Sequence, residues 1–258
     1  MTQPAAALSA NAGVLTNVSC YGGSNGSVNV IVNGGTTPYT FAWSTNPVQY
    51  TQTATGLTAG TYWVTVTDAH SCITTSNATL TQPAQWWPGL SGPTPVCQNS
   101  AGNVYQTESG MTNYVWTVSA GGTITNGGTS ADHSATITWG GSGAQFVSVK
   151  YTNGSGCTAF APAVYNVTVN PAPTPVISGA TTVTPGQTVT YSTPYITGHS
   201  YSWSVSNGNV VLCPDPNCIT VTWYFPCGII NPNFVTVTET IQSTGCSTTV
   251  TRWITVTP

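Results

Sequence analysis

Asp132, His133 and Ser134 stand side by side and supply the three residue types of a hydrolytic triad. Neighbours in an extended chain point to opposite faces, whereas a triad needs three side chains that converge. A polar loop is therefore the expectation. His70 and His199 lie beside turn residues, with no cysteine or carboxylate at a zinc-binding spacing. Asp68, in Thr-Asp-Ala-His, offers one oxygen ligand where calcium takes about six to eight. Its expected role is to cap the turn before Cys72. Glu108, Asp215 and Glu239 complete the set of carboxylates, and no pair is spaced for general acid and base work. Lys150 lies between Val149 and Tyr151, so strand parity turns it to water and away from an isopeptide role. No catalytic residue, metal ligand or cofactor site is expected.

The composition explains why chemistry is so thinly supplied. Charged residues are 3% of 258, where an ordinary soluble domain carries roughly 25%. Two basic residues, Lys150 and Arg252, cannot form the positive patch that a nucleic-acid backbone or an anionic membrane requires. No apolar run approaches the ~20 residues of a membrane-spanning helix. Thr, Ser, Asn, Gly and Val dominate instead, the vocabulary of β-structure with a neutral surface.

The eight cysteines are the main reactive groups. An even number spread through a Thr-rich β sequence reads as disulfides and an oxidising, extracellular setting. Cys20 with Cys72 and Cys97 with Cys157 are natural pairs within a domain, each closing a loop of more than 50 residues worth roughly 4 kcal/mol. Cys213 and Cys218 bracket Pro-Asp-Pro-Asn and can staple a hairpin tip. Cys227 would then pair with Cys246, although a simple sandwich puts these two at opposite ends of a strand of about 25 Å. Cys246 with Cys213 or Cys218 is the alternative.

Period-two alternation identifies the elements that carry these groups: Val28, Val30, Val32; Tyr62, Val64, Val66; Val147, Val149, Tyr151; Val235, Val237. Turn clusters such as NGSG and STG separate the runs. The Pro-rich stretches 88–95 and 170–175 cannot form central strands and read as short linkers. Tyr-x-Trp-x-Val at 114–118 recurs at 201–205, Ile-Thr-Trp at 137–139 recurs as Val-Thr-Trp at 221–223, and Gly156-Cys157 recurs as Gly245-Cys246. A period of about 85 residues suits an immunoglobulin-like unit. The expected fold is all-β: three tandem immunoglobulin-like sandwiches at 1–86, 87–172 and 173–258. Tyr39, Phe41 and Trp43 are then core, as are Tyr114 with Trp116 and Tyr201 with Trp203.

The first segment resembles a known unit. Val18-Ser19-Cys20-Tyr21-Gly22-Gly23, GGTTPYTFAW at 34–43, Gly56-Leu57-Thr58-Ala59-Gly60-Thr61-Tyr62, Thr67-Asp68-Ala69 with Cys72, and Thr79-Leu80-Thr81-Gln82-Pro83 look like an SprB repeat over about 17–83. Ser71 departs from the glycine usual before the second cysteine. Residues 90–258 are similar to PKD-like, immunoglobulin-like domains. The resemblance implies export, through type IX secretion, in gliding Bacteroidota, and a role in adhesion or surface structure. The segment begins with Met-Thr-Gln-Pro-Ala and no signal peptide, and Thr2-Gln3-Pro4-Ala5 recurs at 81–84, as in a mature chain or a piece of a longer array.

Trp63 has outward parity, and Trp86 and Trp87 lie in a linker. They are candidates for packing one domain on the next, or for stacking on surface glycans. The expected function is a noncatalytic stalk segment or filament subunit. Thr-rich edges with few charges favour end-to-end association, with segment 2–16 able to lend a strand to a neighbour.

Overall fold

A computed structural model describes residues 6–224 and 232–257. It is all-β, with no helix among the described residues. Strands β1 (Ser9–Thr16), β2 (Gly26–Asn33) and β4 (Thr53–Leu57) form one antiparallel sheet; β3 (Thr40–Trp43), β5 (Gly60–Thr67) and β6 (Ile73–Leu80) form another. The alternating residues of both sheets meet in one core of Val28, Val30, Trp43, Leu57, Val64, Val66 and Leu80. Trp43 is fully enclosed, while Tyr39 and Phe41 cover the edge of that core. The Ala12 amide donates to Ser76 Oγ, closing one side between β1 and β6. Because β1 pairs with β2 along its length, from Ser9 opposite Asn33 to Thr16 opposite Ser27, residues 9–16 serve this chain's own sheet. The expected loan of segment 2–16 to a neighbour is corrected accordingly; residues 2–5 lie outside the described part.

The next strands are β7 (Val96–Cys97), β8 (Asn103–Gln106), β9 (Thr112–Val118), β10 (Gly122–Gly127), β11 (Ser134–Trp139), β12 (Gly143–Thr152) and β13 (Ala163–Asn170). They form sheets ordered β10-β11-β8 and β7-β13-β12-β9. The last are β14 (Thr182–Val183), β15 (Thr188–Ser192), β16 (His199–Val205), β17 (Gly208–Leu212), β18 (Cys218–Trp223), β19 (Asn233–Ile241) and β20 (Ser247–Val256), in sheets ordered β15-β18-β17 and β14-β20-β19-β16. The two sets repeat one device. Trp139 Nε1 donates to Tyr105 Oη, which donates to the Pro93 carbonyl; Trp223 Nε1 donates to Tyr191 Oη, which donates to the Ala180 carbonyl. Gly92 and Gly179 lie against those tyrosine rings, where a Cβ would collide with the ring. The aromatic polar tips are thus satisfied where all four side chains have no exposed surface.

By compactness the chain divides into two units, Met1–Gly89 with Glu108–Val115 and Lys150–Ala163, and Leu90–Thr107 with Trp116–Val149 and Val164–Pro258.

Candidate functional site

The cysteines are where the structure departs most from expectation. Cys20 bonds Cys157 and Cys97 bonds Cys246, across separations of 137 and 149 residues, while Cys213 bonds Cys218 as expected. Among the described residues Cys72 is exposed and joined to no other cysteine. The expected pairs Cys20–Cys72, Cys97–Cys157 and Cys227–Cys246, and the alternative of Cys246 with Cys213 or Cys218, are corrected. Cys227 lies outside the described residues.

Strand length is the physical reason. The Val18 amide bonds the Thr81 carbonyl, so Cys20 lies near the end of β6, whereas Cys72 immediately precedes its start. Eight residues of strand separate the two ends by ~25 Å, and a disulfide tolerates a Cα separation of only about 4.4–6.8 Å. In the same way Cys97 lies opposite Asn170 at the end of β13, while Cys157 lies in the turn before β13 begins.

Around the Cys20–Cys157 bridge the first unit builds an aromatic junction. Tyr21 meets Phe160 edge to face at 6.0 Å, and Trp86 lies on Tyr151 at 5.3 Å, with Tyr114 on the same tyrosine at 5.3 Å. The Tyr151 hydroxyl donates to Glu108, whose carboxylate also receives the Gly89 amide at 2.9 Å. Trp86 is therefore half-buried packing within that unit. Trp63 and Trp87 remain 53% and 60% exposed. Trp63 stands on the outer face of β5 opposite Asn77.

The turns that hold the cysteines close in the same manner, over five residues at 68–72 and 153–157 and over six at 241–246. The Asp68 amide donates to the Cys72 carbonyl, the Asn153 amide to that of Cys157, and the Ile241 amide to that of Cys246. The residue before each cysteine, Ser71, Gly156 or Gly245, has a φ of 66°, 78° or 73°. Glycine enters that region without steric cost and serine does not. Ser71→Gly is expected to stabilise the first unit by about 0.5–1 kcal/mol, read as a raised midpoint in chemical denaturation.

Asp68 caps its turn as expected, and more fully. Its side chain is buried, which by itself would raise its pKa. Amide donors from Cys72, Thr36 and His70 at 2.9–3.0 Å outweigh that and hold the carboxyl below its ordinary value. Between the folded and unfolded pKa values the unfolded chain binds more protons, so stability rises with pH there. The contribution is complete above about pH 4 and is lost as pH falls through the lower folded value. Acid unfolding of the wild type is expected to be steeper in this window than that of Asp68→Asn, checked by fluorescence against pH.

Asp132 belongs to a turn, its carboxylate accepting from the Thr129 amide and hydroxyl at 3.0 and 2.5 Å. His199 Nδ1 contacts buried Glu239 at 2.6 Å. Among the described residues no cluster of His, Cys, Asp or Glu could hold a metal, and no helix is long and apolar enough to cross a membrane. Tyr201 and Trp203 are only half-buried, unlike Tyr114 and Trp116, and with Val210 and Leu212 they line a groove of about 330 Å³.

The paired sheets and their repeated Tyr-Trp cores define an all-β protein of immunoglobulin-like architecture. Residues 12–48 match the SprB repeat, and residues 83–167 match the PKD-like domain. No curated protein matches the sequence. Solved structures similar to it include the N-terminal eight immunoglobulin domains of Down Syndrome Cell Adhesion Molecule, 10% identical, covering 96% of this chain and 35% of that one at a TM-score of 0.30. The fibronectin(III)-like modules of Clostridium thermocellum CbhA are 11% identical, covering 62% and 94% at 0.27. The human Desmocollin-1 ectodomain is 12% identical, covering 96% and 60% at 0.28.

Proposed function

We propose that the chain is a noncatalytic segment of an extracellular adhesive stalk or surface filament, built of three sandwiches at about 1–86, 87–172 and 173–258. The observation that carries this reading is the pair of long-range bridges, each joining residues that the sequence repeat assigns to successive segments. Such cross-links resist separation of the segments under tension, a use that a freestanding enzyme or single binding module does not have. The SprB and PKD-like matches and the near-absence of charge support the same reading. Subunits associate end to end.

Electron microscopy of the oxidised protein tests it. Rods or filaments with three beads per chain are expected. Compact particles with no elongated form would reject it.

A second reading rests on exposed Trp63 and Trp87: stacking on surface glycans. Titration with soluble glycans would then quench their fluorescence, and the loss of that response in Trp63→Ala or Trp87→Ala would identify the platform. A stalk without this activity gives no response.

A further inference from the structure

We propose that Cys72 is one half of a further bridge, and that its partner is the opening-turn cysteine of another sandwich segment preceding this one. The inference deepens the end-to-end reading above and rests on it.

Cys72, Cys157 and Cys246 each stand at the closing end of a turn between strands, with a carbonyl that accepts from the turn's first amide and a left-handed residue before it, although the Cys246 turn is one residue longer. The partners of the latter two also occupy equivalent places. Cys20 stands six residues before β2 and Cys97 six before β8. Each carbonyl closes a turn, accepting from the Gly23 amide at 3.0 Å and the Ser100 amide at 3.1 Å. Two independent bonds thus obey one rule: the hairpin cysteine of a segment joins the opening-turn cysteine of the segment before it in sequence.

Cys72 satisfies the hairpin half of that rule, is exposed, and has no preceding segment within the 258 residues to supply the other half. The opening-turn cysteines of this chain, Cys20 and Cys97, are already bonded. At the third opening turn the carbonyl that accepts from the Gln187 amide at 3.0 Å belongs to Thr184, so that turn carries no thiol. No opening-turn thiol is left over among the described residues, and the matching one is assigned to a segment of another polypeptide or of a longer chain. Bond formation removes two protons and two electrons from the thiol pair, and a disulfide oxidant accepts them as it is reduced to two thiols.

The test restores the missing half. Thr184→Cys, carried throughout on a Cys227→Ser background so that no further thiol can join copies, gives each copy both halves of the rule. With oxidised glutathione as the electron acceptor, the variant is expected to form a ladder of covalent multimers on a non-reducing gel, with position 184 joined to Cys72 of the next copy. The double variant Cys72→Ser/Thr184→Cys should give no ladder. Failure of the single variant to multimerise, or a ladder that survives Cys72→Ser, overturns the proposal.

A second measurement does not depend on any variant. Protein released from its natural surface is alkylated before and after reduction. Protection of Cys72 until reduction is expected; alkylation of Cys72 before reduction overturns the proposal. When Cys72 is protected, a fall in mass on reduction assigns the partner to a separate polypeptide, and an unchanged mass assigns it to the same one. Elongated particles in the microscope together with an unprotected Cys72 would leave the stalk standing and reject this bridge alone.

Discussion

Replacing Cys97 and Cys246 together with serine is expected to destabilise the second unit by about 5 kcal/mol, the largest effect of any change at the bridges. The bond closes 149 residues, and in the chain-entropy description the constraint on the unfolded chain grows with the logarithm of that length. Cys246 has no exposed surface, so a serine there adds the cost of a buried hydroxyl. Guanidinium unfolding followed by tryptophan fluorescence should show the midpoint fall by roughly 1–2 M. The Cys213–Cys218 bond closes only five residues; its removal should cost about 2 kcal/mol by the same relation. Equal losses from the two would contradict a mechanism based on loop length.

Trp223→Ala should come second, at about 3–5 kcal/mol. The indole is fully buried among Tyr191, Ile219, Val221, Val235 and Val237, and meets Tyr191 edge to face at 6.2 Å. Its removal leaves a cavity and takes away the donor that Tyr191 accepts at 3.1 Å. Trp223→Phe separates the two contributions, keeping most of the volume and losing the hydrogen bond, for about 1 kcal/mol plus the lost contact area. Thermal unfolding should register a fall of roughly 6–20 °C for the alanine variant and a much smaller one for phenylalanine.

The alternation of Val28 with Val30, Val64 with Val66, Val147 with Val149 and Val235 with Val237 reports the strands directly, and all eight are buried. A half-buried sheet obliges this pattern, so it is legible in one sequence. The Tyr-x-Trp and Ile-Thr-Trp repeats likewise place the cores, with Trp116, Trp139 and Trp223 inside. The outward parity of Trp63 holds as well.

The bridges were not legible in the same way, because pairing depends on which ends of strands meet. The strand-length objection that makes Cys227–Cys246 awkward applies equally to Cys20 with Cys72 and to Cys97 with Cys157. Each pair straddles the full run of β6 or β13. Applied throughout, it excludes every pairing of an opening turn with the hairpin of its own segment. The matching positions of Gly156-Cys157 and Gly245-Cys246 carry the rest of the signal, since equivalent cysteines should have equivalent partners. Trp86 reads in the sequence only as an aromatic in a linker, because Tyr151, the ring it lies on, is far from it along the chain.

Ser71 carries a signal that the sequence does show. A glycine is usual in the SprB repeat at that point, and the φ of 66° supplies the reason.

The proposed stalk depends most on bridges between residues that the sequence repeat assigns to successive segments, and proteolysis of the oxidised, alkylated protein without reduction, followed by mass spectrometry, reads them directly. Peptides of Cys20 linked to Cys157 and of Cys97 linked to Cys246, with Cys72 not joined to Cys20, are the predicted result. Peptides linking Cys20 to Cys72 and Cys97 to Cys157 would confine each bond to one segment and contradict it.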